Sequence, residues 1–178
     1  VLNFLLAQSR KFAPRIVFFD KDRGAELFVR AVDGQYDRLR PGFAANFNPL
    51  QMDDRPENRQ FLMDWLAMLA GGADGAEVEM IRDAVEANYA QDGSHRRLRY
   101  LAELFRGYAK PAPGDLYSRL RPWWGEGERA WLFDNEQDLT DLSAATVGFD
   151  MTAILDDPVV RTPALFYLFH RVEERLDG

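Results

Sequence analysis

The sequence predicts an α/β fold in which a mostly parallel sheet is interrupted by an all-helical block. Three observations lead there. A short apolar run at 15–20 ends abruptly in charge and lies between two helical patterns. The stretch 53–127 carries helical periodicity throughout. Strand character then returns at 130–133 and 146–151, ahead of a final amphipathic stripe. On this reading 1–52 and 128–178 are two pieces of one core, and 53–127 is an insertion.

Taken in order, Leu2, Leu5 and Leu6 share a helical face, and the helix runs out near Phe12, before Pro14. Val1 already reads as helix interior, so the chain is expected to start inside a longer protein. Ile16-Val17-Phe18-Phe19-Asp20 follows, a continuous apolar run of the kind that forms a parallel strand covered on both faces. Leu27, Phe28, Ala31 and Val32 mark a short helix ending at Gly34, and Pro41-Gly42 punctuates the weakly alternating segment after Tyr36.

The block predicts helices at 55–71, 75–91, 94–109 and 115–122, with apolar residues recurring at three and four positions (Phe61, Leu62, Trp65, Leu66, Leu69). Asp54 with Glu57, and Asp74 with Glu77, have the spacing of a carboxylate capping box. Pro111, Pro113 and Gly114 separate the last two helices. After the strands at 130–133 and 146–151, Thr162-Pro163 reads as a helix start and Gly178 as its C-terminal cap.

Composition narrows the function classes. Apolar residues make up 47% and charged residues 29%, values of a folded globular chain. The formal net charge of −7 implies no broad basic face for nucleic acid. Arg96, Arg97 and Arg99 form a local cluster, either a solvated helix face or a phosphate track. Cysteine is absent, which removes disulfide and thiolate-metal chemistry. The longest apolar stretch, 61–70, falls short of the roughly 20 residues that span a bilayer. His95 and His170 have no second ligand at metal spacing, so no metal site is expected. Trp123-Trp124 is read as core packing rather than a binding knob.

The informative stretch is Phe19-Asp20-Lys21-Asp22-Arg23-Gly24-Ala25-Glu26. Charge at the C-terminal end of a buried strand, followed by a helix, occupies the place where open α/β sheets bind ligands. The plainer alternative is a solvated turn with Asp22 capping the next helix.

This stretch resembles the segment after the phosphate-loop helix of conjugative-transfer (type IV secretion, TrbE/CagE-type) ATPases. Further blocks match in order: Leu39-Arg40-Pro41-Gly42, Phe47-Asn48-Pro49-Leu50, Trp131-Leu132-Phe133-Asp134-Asn135-Glu136, Gly148-Phe149-Asp150-Met151-Thr152 and Tyr167-Leu168-Phe169-His170-Arg171. The resemblance implies a partial RecA-like P-loop NTPase core. It implies a parent hexamer at the cytoplasmic face of the bacterial inner membrane, using ATP and Mg²⁺ to drive a secretion channel and contacting its subunits. Such a site needs G-x-x-x-x-G-K-[ST] and a later apolar strand that ends in an Asp-Glu pair. Neither pattern occurs in this sequence, so Val1 is expected to follow the missing loop, and the chain alone is expected to hydrolyse no ATP. The Asp-to-Glu arrangement is also similar, at slightly different spacing, to that after the corresponding strand of FtsK-type DNA translocases, which implies a water-positioning role for Glu26, with Asp20 and Asp22 beside it and Lys21 toward phosphate. Arg161 and Arg171 are candidates for the charge-stabilising arginine, or plain helix-end ion pairs. Two other readings stand beside this one: an FtsK-type DNA translocase, for which nucleic-acid binding is open, and a non-catalytic helical module that docks a channel subunit.

Overall fold

The computed structural model describes residues 2–106 and 112–177. An N-terminal helix α1 (Leu2–Ser9) precedes strand β1 (Ile16–Asp20), helix α2 (Glu26–Ala31) and strand β2 (Gln35–Arg38). Helices α3 (Pro56–Leu69), α4 (Gly75–Tyr89), α5 (Leu98–Glu103), α6 (Leu116–Leu120) and α7 (Ala130–Phe133) follow. Strand β3 (Thr146–Asp150), the short α8 (Thr152–Leu155) and the long α9 (Pro158–Asp177) end the chain. The α/β class is as expected.

The sheet has the order β1-β3-β2, and both pairings are parallel. β3 arrives last in sequence and inserts between the other two, so it is the strand buried along its length. β1 reads from its residues as covered on both faces, yet Ile16 to Phe19 are half-buried. The reason is position: β1 is an edge strand among the described residues, with β3 on one side only. Close packing in the centre depends on a missing side chain. A Cβ on Gly148 would lie 2.5 Å from the Tyr36 ring, which therefore rests directly on β3.

One apolar cluster joins the sheet to the helices, running from Leu39 through Trp65, Phe133 and Phe149 to Leu168. Its centre is aromatic. Phe133 meets Trp65 edge-on at 5.1 Å and Tyr167 at 6.0 Å, while Phe47 touches Phe149 at 6.3 Å and Tyr167 at 5.1 Å. Trp123 and Trp124 are buried, and Trp123 donates Nε1–H to the Leu69 carbonyl.

Four local expectations are corrected. Residues 130–133 form a helical turn rather than a strand, because their amides are satisfied locally: Ala130 N–H bonds Gly127 O and Asp134 N–H bonds Ala130 O, each at 3.0 Å. A four-residue apolar run has no period that separates the two states. Asp54 makes no capping box. It pairs with Arg59 at 2.6 Å, and Pro56 opens α3. Asp74 and Glu77 do form the reciprocal box. α9 starts at Pro158, where Asp157 Oδ1 accepts from Val159 N–H at 3.0 Å, so Pro163 lies inside the helix. The 94–109 helix is a 3-10 turn at Gly93–His95 and then α5. Its expected last turn, Pro111, Val1 and the Gly178 cap lie outside the described residues.

The arginine cluster is neither a solvated face nor a phosphate track. Arg97 Nε and Arg99 Nε donate to the Asp134 carboxylate at 3.2 and 2.9 Å, and the Arg99 and Gly125 amides donate to it as well. Arg96 lies over the Tyr89 ring.

Candidate functional site

In a parallel sheet every strand ends at the same edge, so the residue type at each strand's end decides what that edge presents. Here Asp20 and Asp150 stand in register across β1 and β3, and Arg38 faces Asp150 from β2. A Phe-Asp pair closes both β1 and β3: the phenyl faces the core and the carboxylate lies at the rim. Past the rim the chain runs on through Lys21, Asp22 and Arg23 into α2, and through Met151 and Thr152 into α8.

Asp20 is buried and engaged. Its Oδ2 accepts from the Ala25 amide at 2.8 Å and from the Tyr36 hydroxyl at 2.7 Å, which closes the turn between β1 and α2. Burial first, then the bond to Asp20, pushes the Tyr36 hydroxyl well above its ordinary pKa. The turn is strained: Asp22 and Arg23 both have positive φ, 61° and 60°. Left-handed backbone costs on the order of 1–2 kcal/mol for a residue with a Cβ. Two anchors oppose that cost, the Asp20–Ala25 bond and the Asp22 amide, which donates to Thr152 Oγ1 at 2.9 Å. Thr152 in turn donates its hydroxyl to Asp150 at 2.6 Å. Asp22 is thus not the cap of α2. Its backbone holds the loop to α8, and its exposed carboxylate makes no hydrogen bond among the described residues.

Glu26, at the start of α2, receives three guanidinium groups: Arg23 Nε at 2.8 Å, Arg30 Nε at 3.0 Å and Arg38 Nη2 at 2.9 Å. Arg38 foremost, then Arg30 and Arg23, hold its carboxyl down at about 2. A carboxylate so stabilised is a weak proton acceptor, though it remains a good hydrogen-bond acceptor. Lys21 pairs with Asp156 at 2.9 Å, and this bond raises the ammonium pKa. Arg161 donates to the Leu155 carbonyl at 3.1 Å, next to Asp156.

Asp20, Lys21, Asp22, Glu26 and, through α8, Arg161 therefore gather at one end of the sheet. Arg171 does not join them. Ten residues on from Arg161 lie about 15 Å further along a helix, and there Arg171 binds Asp138 at 2.7 Å and Glu174 at 3.3 Å. Reasoning from the residues missed Tyr36, Thr152, Asp156 and the arginines at 23, 30 and 38. The repeated Phe-Asp at two strand ends was the available signal for Asp150 and Thr152. The arginines come from three elements and carry no shared spacing.

The chain is 37% identical over 181 residues to the type IV secretion system protein virB4 of Bartonella henselae, all of this chain against 23% of that protein. It is 40% identical over 195 residues to the type IV secretion system protein PtlC of Bordetella pertussis, all of this chain against 24% of that one. The chain is homologous to a segment of the VirB4-type secretion proteins. It spans about a quarter of the length of these relatives. The solved structure of VirB4 of Thermoanaerobacter pseudethanolicus superposes with a TM-score of 0.76 at 17% identity, covering 97% of this chain and 73% of that one, which establishes a shared fold. No family model matches the chain. No described helix is long and apolar enough to cross a membrane.

Asp20 is committed to Ala25 and Tyr36, and Glu26 to three arginines. Among the described residues no three carboxylate or imidazole groups converge on a metal position. Asp20 and Glu26 are therefore not free to hold Mg²⁺ as arranged.

Proposed function

We propose that this chain is part of the motor of a type IV secretion ATPase, contributing the rim of a RecA-like core that faces the nucleotide in the intact parent. The observation that carries the proposal is the parallel sheet edge, where Asp20 and Asp150 stand in register and Lys21, Asp22, Glu26 and Arg161 gather beside them. Open α/β sheets bind ligands at this edge. The homology to virB4 and PtlC supports the same reading.

In this proposal residues 1–52 and 128–178 belong to the core and 53–127 to a helical insertion that shares its apolar interior. Mg²⁺ and the phosphate cradle come from parts of the parent beyond this chain, and the chain alone turns over no ATP. Glu26 positions water as a hydrogen-bond acceptor once its arginines are drawn away. Arg161 is the better placed of the two arginine candidates, since Arg171 is held at the far part of α9. The parent acts as a ring, hexameric by the resemblance, at the cytoplasmic face of the inner membrane against channel subunits.

The test is Mg²⁺-dependent ATP turnover by the intact parent beside its Glu26→Gln, Arg161→Ala and Arg171→Ala variants. The first two are expected to lose turnover by about a hundredfold or more, in the range of lost transition-state contacts, and Arg171→Ala to retain it. Full turnover in Glu26→Gln and Arg161→Ala removes these assignments, and an intact parent with no turnover removes the motor.

A further inference from the structure

α3 and α9 present like patterns to a shared groove. Glu57, Gln60, Phe61 and Asp64 recur at three and four residues on α3, and Phe166, Phe169, His170 and Glu173 do the same on α9. Such spacing puts each set on one helical stripe. The helices run antiparallel here, since Asn58 meets His170 and Glu174 while Phe61 meets Phe166. Between the stripes lies a groove of about 650 Å³.

Its floor is aromatic and fixed. Phe61 stacks on Phe166 at 4.8 Å and on His170 at 4.2 Å, and Phe169 stands half exposed at the wall. Asn58 is buried beneath: its Nδ2 donates to Glu174 at 2.8 Å, and its Oδ1 takes the His170 Nε2–H at 2.6 Å. Burial foremost lowers the His170 pKa, so this ring brings no positive charge at neutral pH.

The rim is acidic. Glu57, Asp64, Glu173 and Glu174 line it against one cation, Arg55. Glu174 shares Arg171 with Asp138, Arg55 lies 3.9 Å from Asp53, and Arg59 is taken by Asp54. Glu57, Asp64 and Glu173 are exposed and have no cationic partner among the described residues. Setting both Arg55 and Arg171 in full against the four carboxylates still leaves the groove two charges negative. Asp53 and Asp138, which hold those two arginines, add to the excess.

We propose that the α3–α9 groove is a docking site for an extended, arginine-bearing segment of a partner protein. Charge complementarity selects the occupant. The rim carboxylates attract guanidinium groups, aromatic faces receive their planes, and the apolar stems of arginine cover the phenylalanine floor. An acidic segment would be repelled, and a purely apolar one would bury the rim charges unpaired. From Glu57 to Asp64 the groove runs about 10 Å along α3, which three residues of extended chain also span. Two arginines three positions apart therefore reach both ends. The inference concerns a protein contact and does not rest on ATP turnover by the parent, so either can fail without the other.

The test is isothermal titration of the 178-residue chain, and of the intact parent, with the blocked peptide Gly-Arg-Leu-Ala-Arg-Gly at low ionic strength. Saturable binding is expected below about 1 mM, weakening as salt rises, and none with the counterpart carrying Glu for both Arg. Asp64→Asn and Glu173→Gln are each expected to weaken the peptide about three- to fivefold, the upper part of the range for an exposed ion pair. Together they should weaken it about tenfold, as separated sites add. Glu79→Gln removes the same charge from α4, outside the groove, and should leave the affinity within twofold. Absence of saturation, or an equal loss in Glu79→Gln, would overturn the proposal. So would three other occupants: spermidine binding as tightly as the peptide, a dimer of the chain dispersed by the double substitution, or an intact parent that leaves no groove open and binds no peptide.

Discussion

Asp134 ties three stretches of chain together with one side chain. Its carboxylate is 1% exposed and takes donors from Arg97, Arg99 and the Gly125 amide. Removing one partner of a buried pair leaves the other charge without compensation, which costs about 3–5 kcal/mol. Arg97 and Arg99 stay 17% and 37% exposed and can turn to water, so Asp134→Ala is expected near the lower end of that range, read as a fall in the urea midpoint at unchanged slope. Glu26 makes a different prediction, one of pH. Its folded pKa lies at about 2, below the ordinary 4.5. The sign follows from linkage: the unfolded chain takes up the proton first, so the stabilisation is complete above pH 4.5 and is lost as pH falls toward 2. Melting temperature against pH should drop less steeply across that window in Glu26→Gln than in the parent chain. An equal slope would mean the three arginines do not hold Glu26 in solution.

At the scale of elements, β3 works because it carries Gly148. Tyr36 lies where a Cβ would be, and the Tyr36 hydroxyl reaches Asp20 from there. Gly148→Ala therefore acts on the rim as well as on the sheet. Overpacking of this kind costs about 1–3 kcal/mol. The tyrosine is expected to turn away, and Asp20 then loses one of its two donors. Tyr36→Phe removes that bond while leaving the packing intact. The pair is checked by amide hydrogen exchange at Ala25, which should quicken in both variants, while global stability falls clearly only in Gly148→Ala. The helices illustrate which signals carry. The Asp74–Glu77 box was legible because both partners are local. The Asp54–Glu57 pair had the same spacing and failed, because Arg59 offers Asp54 a bidentate partner and Pro56 starts the helix without it.

For the whole molecule, the aromatic centre joins sheet and helical block through shared side chains. Phe133 contacts Trp65 of α3 and Tyr167 of α9 and has no exposed surface. Truncating a buried phenylalanine costs about 3–5 kcal/mol. Phe133→Ala is expected to lower the stability of both parts together, with tryptophan fluorescence and far-ultraviolet dichroism giving coincident unfolding curves. Two separated transitions would show that the helical block folds independently of the sheet.

What the residues alone determined is local and periodic. The strands at 16–20 and 146–150, the long helices, the charged end of β1 and the ordered blocks of the type IV secretion resemblance all depend on neighbours in sequence, where spacing and side-chain type suffice. What tertiary structure decided is which distant groups meet. β3 lies between β1 and β2 although it comes last. The apolar turn at 130–133 coils instead of extending because its amides find partners one turn away. Arg23, Arg30 and Arg38 close on Glu26 from a loop, a helix and a strand. A one-dimensional pattern records the period of a chain but not the distances between its folded parts, and the electrostatics of this rim depends on those distances.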